Sequence, residues 1–217
     1  MGVLYSKKNG VWLQVSSGKK EPFNKALALV GIDKVDTLDA VLTNSEYCTA
    51  LAGNADAYTI MKDNYSADMT TAIDSAWNEG LNTLNYKCGL KCWLFKAGNQ
   101  CRGITGGWAT GNKGYVSGSA LGVNSGSSSY STVSSNNKIS GSFSTIYFVV
   151  TSTNGKVRLG MSNTKSAHDT GSMSWYVNSE SAGTKSGAFV NNAYACMFNG
   201  DSKSDLYCHI SDIYITP

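Results

Sequence analysis

The sequence predicts a mainly β protein with an N-terminal helical part and a C-terminal antiparallel β-sandwich of jelly-roll type. Three observations carry this prediction. Charged residues make up only 15% of the 217 residues and glycine is frequent, which suits short strands joined by tight turns. The C-terminal half contains several short alternating segments bounded by turn residues, a pattern typical of sandwiches. A central acidic stretch instead has helical spacing and helix-capping residues.

The chain divides into three predicted segments, residues 1–35, 36–86 and 87–217. In the first, residues 3–5 and 11–15 flank Asn9-Gly10, the dipeptide most typical of a two-residue hairpin turn. An isolated hairpin is marginally stable in water, so we expect it to pack on another surface. Five lysines lie in or beside it, which favours an acidic neighbour: Lys7, Lys8, Lys19, Lys20 and Lys25. We therefore interpret residues 1–35 as an anchor.

The middle segment is predicted to be helical and acidic. After a short apolar face that Gly31 ends, residues 36–84 contain eight acidic residues against one basic residue, Lys62. Residues of the helix-capping type recur every ten positions, at Asn44, Asn54, Asn64 and Asp74.

Two structures fit this repeat. One is a continuous helix with an eleven-residue period, and the other is a series of helices broken at Gly53 and near Asn64. We favour the second, because Gly53-Asn54 is a poor helix interior. So narrow a segment cannot make a core alone, and we expect a homotrimer that buries its apolar residues between chains: Leu51, Ile60, Met61, Ile73, Leu81 and Leu84.

The third segment predicts the sandwich. Clear strands are expected at 145–151, 156–162, 172–178, 193–198 and 206–215, with narrower ones around Tyr115, Leu121 and Val133. Alternation places Val157, Leu159 and Met161 in the core, and it places Trp175 on the same inner face as Met173 and Val177. A bulge is expected at Ser211-Asp212 and a second hairpin turn at Gly98-Asn99. Thr105-Gly-Gly-Trp108 is interpreted as a turn followed by an apolar anchor.

Residues 44–84 and 94–217 resemble tail-fibre-like and host-attachment proteins of phages of gut bacteria. The resemblance is carried by the polar units NSEYCTAL and NADAYTIM, by LFKAGNQCRGITGGW at 94–108, and by the Ser/Gly-rich sandwich. The repeats in that family are more numerous and more regular, whereas about four degenerate units are present here. The resemblance implies a virion component that faces a bacterial surface, and it supplies no catalytic residue.

The six cysteines are predicted to be reduced thiols with no structural metal, since no secretory signal precedes them. Cys88 and Cys92, spaced C-x₃-C, with Cys101 could begin a zinc site. We favour small buried hydrophobic side chains, because no histidine or C-x₂-C pair completes a ligand set. No cofactor is expected.

No catalytic residue is assigned, and the protein is not expected to be an enzyme. His168 lies beside Asp169 and near Ser166, but no G-x-S-x-G elbow is present. His209 is predicted to point away from the core, opposite to Cys208 and Ile210. The carboxylates of a glycan hydrolase would have to come from Asp169, Glu180, Asp201, Asp205 and Asp212.

Glycan binding is the ligand interaction that the sequence favours most. Aromatic side chains with neighbouring amides can hold sugar rings, and the candidate contacts are Trp108, Tyr176, Asn178 and Tyr194. For each of these residues, packing in the core or at a subunit interface is the default interpretation, and glycan contact is the alternative.

The resemblance to phage proteins implies a virion-surface appendage, a fibre or attachment protein, made in the bacterial host cytoplasm. Its expected partners are copies of itself, other virion proteins through residues 1–35, and a bacterial surface glycan. Nucleic acid is not expected, because no Lys/Arg cluster is interleaved with aromatics, and no apolar stretch is long enough to enter a membrane. The alternatives are an architectural head fibre, capsid decoration or collar protein, and a glycan hydrolase.

Overall fold

The computed structural model describes residues 4–8, 11–15, 21–124, 131–165, 173–199 and 206–217. These residues form a hairpin, a helical unit and a sandwich of two antiparallel sheets. The predicted fold class is therefore confirmed. No helix in these ranges is long and apolar enough to cross a membrane.

The N-terminal hairpin has the predicted register. Strand β1 (Leu4–Lys8) pairs antiparallel with β2 (Val11–Val15), from Leu4 opposite Val15 to Lys8 opposite Val11. The turn residues Asn9 and Gly10 lie outside the described residues.

Five helices form the helical unit: α1 (Pro22–Ala28), α2 (Leu38–Leu42), α3 (Ser45–Ala52), α4 (Ala55–Ser75) and α5 (Glu79–Cys88). Helix α1 begins at a proline, whose missing N–H needs no partner in a first turn. Its Phe23, Ala26 and Leu27 are buried in one core with residues of α3, α4 and α5. The boundary predicted between residues 35 and 36 therefore does not separate two structural units, since the helical unit already begins at α1.

The helical segment is broken, as favoured from the sequence. Gly53 separates α3 from α4, and α4 is kinked at Tyr65, whose φ of −135° and ψ of 19° are not helical. Asn44 caps α3 by accepting hydrogen bonds from the backbone N–H groups of Glu46 and Tyr47, and Asn54 caps α4 through Ala57.

The other two predicted caps are wrong. The Asn64 amide donates to the carbonyl of Ile60 at 2.8 Å inside α4. Asp74 lies in the last turn of α4, and Asn78 caps α5 instead by accepting from the N–H of Leu81 at 3.0 Å. The ten-residue spacing ends here because α4 stops at Ser75, and Ala76 and Asn78 have extended backbone before the next helix.

The apolar residues expected between three chains are buried within one chain. Leu51, Met61, Ile73, Leu81 and Leu84 are fully buried in the helical core, and Ile60 is partly buried against it. The segment folds back on itself, and α1 and Trp93 complete its core. Burial of these residues therefore gives no reason to require a trimer.

The remaining elements form the sandwich. They are β3 (Cys92–Lys96), α6 (Arg102–Thr105), β4 (Trp108–Gly111), β5 (Gly114–Val116), β6 (Leu121–Asn124), β7 (Thr132–Ser135), β8 (Thr145–Thr153), β9 (Val157–Ser162), β10 (Met173–Ser179), β11 (Gly183–Ala188), β12 (Tyr194–Asn199) and β13 (Tyr207–Thr216). One sheet has the order β10-β9-β12-β7-β4. The other has the order β11-β8-β13-β6-β5, with β3 also beside β13. All the strand pairs are antiparallel.

The five clear strands are confirmed, with ends that differ by one or two residues. Val157, Leu159 and Met161 are fully buried, as predicted. The bulge is confirmed as well, because Ile210 and Asp212 pair with the adjacent residues Val150 and Val149, and Ser211 is the extra residue. Strand β11, sequence GTKSGA, was not predicted because it lacks alternating apolar residues.

Two details of the sandwich differ from the prediction. The turn after β3 is centred on Ala97-Gly98, both with positive φ, and the helix α6 follows where a second strand was expected. In β10, Met173 and Trp175 pair with the adjacent residues Ser162 and Met161. This irregularity puts Met173 on the opposite face from Val177, where it clusters with Cys196 and Phe198.

Candidate functional site

The segment 92–108 joins the helical unit to the sandwich. Cys92 and Leu94 are buried in the sandwich core, whereas Trp93 is buried in the helical core. The buried side chain of Asn82 on α5 exchanges two hydrogen bonds with the backbone of Trp93, at 2.9 and 2.7 Å. The Asn82 amide therefore pairs with the backbone N–H and C=O groups of Trp93, as the backbone of a neighbouring strand would.

The turn that follows is fixed by local hydrogen bonds and by glycine. Lys96 and Asn99 exchange two backbone hydrogen bonds at 3.0 and 2.8 Å. Gly98 has a φ of +103°, and a Cβ there would lie 1.6 Å from the carbonyl oxygen of Gly118. Trp108 closes the segment: its indole N–H donates to the Leu94 carbonyl at 3.2 Å, and its ring meets Phe95 edge to face.

A row of side chains crosses the outer face of the six-stranded sheet, hereafter the aromatic row: Ser186 on β11, Tyr147 on β8, Tyr214 on β13 and Trp93 on β3. The Tyr147 and Tyr214 rings stack at 4.6 Å and 8°, and the Tyr214 and Trp93 rings lie 4.9 Å apart at 60°. Tyr147 and Tyr214 are only partly buried, so the aromatic row is accessible at its β8 end.

Two lysines lie over the Trp93 end of the aromatic row. The Lys96 amine is 3.6 Å from the centre of the Trp93 ring and 3.8 Å from an Asp212 carboxylate oxygen. The Lys91 amine is 5.1 Å from the centre of the Tyr214 ring and 2.8 Å from a carboxylate oxygen of Asp74 on α4. Each amine therefore combines an ion pair with a cation–π contact. Burial raises the pKa of Tyr214, while Lys91 acts in the opposite direction.

A second aromatic group lies on the same outer face. The ring of His209 lies 5.7 Å from that of Tyr115 and 5.5 Å from that of Tyr207, and its Nδ1 is 3.2 Å from the hydroxyl of Ser152. The outward direction predicted for His209 is thus confirmed, since Cys208 and Ile210 on either side are fully buried. Burial raises the pKa of the Tyr115 hydroxyl.

The structure describes the side chains of three of the four candidate glycan contacts, and these three lie apart. Trp108 is only 7% exposed and belongs to the sandwich core, which explains its apolar neighbours and its internal hydrogen bond. Asn178 is exposed on β10 and Tyr194 is partly buried on β12. They pair with Arg158 and Ser162 of β9, about 13 Å apart along that strand.

Tyr176 lies in β10 opposite Gly160, but its side chain is outside the described residues, as is that of Trp175. The same holds for His168, Asp169, Asp201 and Asp205, so the catalytic interpretations that involve them fall outside the described ranges. Of the remaining carboxylates suggested for hydrolysis, Glu180 is exposed and Asp212 lies beside Lys96.

The aromatic row was not predicted from the sequence, although the outward direction of its two tyrosines could have been. Tyr147 lies between the buried residues Ile146 and Phe148, and Tyr214 lies between Ile213 and Ile215. Alternation therefore assigns both tyrosines to the outer face. Their adjacency depends on the pairing of β8 with β13 across more than fifty residues of chain, which no local pattern indicates.

All six cysteines are buried and unpaired in the structure. Burial raises the pKa of the Cys48, Cys88, Cys196 and Cys208 thiols to about 12, and it raises those of Cys92 and Cys101 as well. These thiols are therefore protonated at neutral pH and poor nucleophiles. In the described ranges, no three His, Cys, Asp or Glu side chains are grouped to hold a metal.

Comparison with protein-family models and with curated proteins finds no match. Among solved structures, the chain is similar to the K2 cleaved adhesin domain of Lys-gingipain, with 11% sequence identity and a TM-score of 0.36. The similarity covers 51% of this chain and 83% of that chain. A likeness at this level supports no functional conclusion, so function is argued from the residues alone.

Proposed function

We propose that this chain is a non-catalytic structural protein of a bacteriophage virion. It forms a surface appendage whose sandwich faces outward, toward the bacterial host. The observation that carries the proposal is the joint at 92–108. This joint contains residues 94–108, the stretch that most specifically resembles phage attachment proteins, and here it connects a helical unit to a sandwich through buried contacts.

The joint is suited to an appendage because it fills two cores at once. Trp93 is inserted into the helical core, and its neighbours Cys92 and Leu94 into the sandwich core. Separating the units would expose the Trp93 side chain to water, which costs about 25 cal/mol for each Å² of apolar surface. In such an appendage the helical unit is the base, and its contact with Trp93 determines the direction in which the sandwich points.

The charge distribution supports attachment through the N-terminal part. All eight acidic residues between 36 and 84 are exposed, and they favour a basic neighbour on the particle. The hairpin of β1 and β2 needs a further surface for stability. Since Phe23 is buried in the helical core, it is not available for attachment, and we place the attachment in the residues that precede α1.

A compact virion protein without receptor binding is the second candidate, as a head fibre, capsid decoration or collar protein. The observation that favours it is the folding-back of α3, α4 and α5 into one core with α1. This arrangement makes a globular unit where the repeats of an attachment fibre would make an extended shaft.

Particle analysis tests the proposal. Phage particles purified from the strain that encodes this chain are analysed by peptide mass spectrometry and by electron microscopy with a gold-labelled antibody against residues 87–217. We expect the chain in the particles, with label at the outer ends of a surface appendage. Label evenly distributed over the capsid would favour the second candidate, and absence of the chain would refute both.

The deletion of residues 2–20 tests the attachment. We expect a folded protein that no longer enters particles, because α1 and the helical core remain intact. The deletion stops at residue 20 because a longer one, to residue 24, would also remove Pro22 and Phe23 of α1 and disturb the helical core. Normal incorporation of the 2–20 deletion would place the attachment elsewhere.

The homotrimer remains a prediction, although the apolar residues from which it was inferred are buried within one chain. Native mass spectrometry at micromolar concentration distinguishes a trimer from a folded monomer of 23.1 kDa. A stable monomer would end the trimer proposal without affecting the other parts of the proposed function.

A further inference from the structure

We propose that the outer face of the six-stranded sheet binds a neutral oligosaccharide beside Tyr147, on a ledge formed by the exposed side chains of the edge strand β11. The inference rests on the proposed function, because it names what an outward-facing sandwich contacts. The site lies on the opposite sheet from Asn178 and Tyr194.

The geometry of Tyr147 leaves one ring face available. Its other face is used by Tyr214, which stacks on it at 4.6 Å and 8°. The neighbour of Tyr147 on the other side is Ser186 of β11, so the remaining ring face is turned toward β11. Ser186 is exposed, as are Thr184 and Ala188, which alternate with it on the same face. A flat ring thus stands beside small side chains, which leaves room for a ring-sized ligand.

The chemistry of this ledge matches a sugar. A pyranose has an apolar C–H face and a rim of hydroxyl groups. The Tyr147 ring supplies an apolar surface against which the C–H face of the sugar can pack. The hydroxyls of Ser186, Thr184 and Tyr147 can donate hydrogen bonds to the sugar hydroxyls and accept hydrogen bonds from them.

The charges select among possible ligands. The two lysines near the aromatic row are paired within the protein, Lys96 with Asp212 and Lys91 with Asp74. A nucleic acid or an acidic polysaccharide is held by cationic side chains that track its charges. The amines of Lys91 and Lys96 already have carboxylate partners, and the amine of Lys185 on β11 donates to the Ser181 hydroxyl at 3.2 Å. Hot spots of protein interfaces are typically Trp, Tyr or Arg side chains that become fully desolvated, whereas the Tyr147 ring stands beside the exposed side chains of Ser186 and Thr184. Charge complementarity therefore favours an uncharged, hydroxyl-rich ligand.

The test uses the full chain and a panel of immobilised oligosaccharides. Neutral members contain hexoses and N-acetylhexosamines, and anionic members contain sialic or uronic acids. Titration calorimetry with the best-bound member then compares the natural sequence with Tyr147→Ala, which removes the ring, and Ser186→Tyr, which fills the ledge. Ser174→Tyr is the matched control, since Ser174 is an exposed serine on the edge strand of the other sheet.

We expect binding to at least one neutral oligosaccharide. Tyr147→Ala and Ser186→Tyr should each weaken it about tenfold or more, because the stacking contact is lost or blocked, and Ser174→Tyr should not change it. No binding to neutral members, binding to anionic members only, or equal affinity in all the variants would each overturn the proposal. If Tyr147→Ala fails to fold, Ser186→Tyr decides, because its side chain is added at an exposed position. Presence in phage particles is measured separately, so either idea can fail alone.

Discussion

The helical unit and the sandwich are stabilised in different ways. In the helical unit, the ends of α3, α4 and α5 are fixed by side chains two or three residues away, namely Asn44, Asn54 and Asn78. In the sandwich, the long central strand β13 pairs with β3, β6 and β8, which come from distant parts of the chain.

This difference determines where a substitution acts. A helix cap has a local effect that can be estimated from sequence, whereas a residue of β13 or β3 acts on several strands at once. Trp93 belongs to both kinds of structure, because its strand is in the sandwich and its ring is in the helical core. The following expectations test this contrast, from the largest effect to the smallest.

Alkaline pH should destabilise both units together. The thiols ionise near 9.0 when unfolded, and burial raises the folded pKa of Cys48, Cys88, Cys196 and Cys208 to about 12. Between these values the unfolded state binds fewer protons, so the free energy of unfolding falls as pH rises, by about 1.4 kcal/mol per pH unit for each thiol.

Urea titrations between pH 7 and 11 measure this loss, which should begin near pH 9. Cys196→Ala should reduce the slope by the share of one thiol, because one buried ionisable group is removed. A flat profile to pH 11 would contradict the burial of these thiols in the folded protein.

Trp93→Ala should lower the free energy of unfolding by about 3–5 kcal/mol, because a large buried ring is lost. We also expect the natural sequence to unfold in one transition and Trp93→Ala in two, since Trp93 links the two cores. Trp77→Ala is the control: this ring is only partly buried against the helical core, so a smaller loss with one transition is expected. Equal effects in both variants would show that the joint does not couple the two units.

Asn54→Ala should lower the free energy of unfolding by about 1 kcal/mol, the usual effect of losing an N-cap. Asn64→Ala should have no effect or stabilise slightly, because Asn64 lies inside α4 and alanine is the better helix former. Thermal melting followed by circular dichroism distinguishes them. A larger loss at Asn64 than at Asn54 would restore the cap that the ten-residue spacing suggested.

Lys91→Met should have the smallest effect, less than about 1 kcal/mol, because the Lys91–Asp74 pair is partly exposed and screened by solvent. The difference from the natural sequence should shrink at 1 M salt, as expected for an ion pair. Lys34→Met, at an exposed position, serves as the control for loss of charge alone. A difference that does not change with salt would mean that the lysine stem, not its charge, stabilises the joint.

The sequence alone determined the elements whose signals are local. The hairpin β1–β2, the caps at Asn44 and Asn54, the inward side chains of β9 and the bulge at Ser211 all follow from neighbouring residues. Even the outward direction of Tyr147 and Tyr214 was within reach of simple alternation.

The tertiary structure decided what depends on distant residues. It placed α1 and Trp93 in the helical core, so that Leu51 and Ile73 are buried without a second chain. It also brought Tyr147 beside Tyr214 and Ser186, which makes the proposed ledge. The physical reason is that hydrophobic burial is non-directional. An apolar pattern states that a face must be covered, and only the folded chain determines which partner covers it.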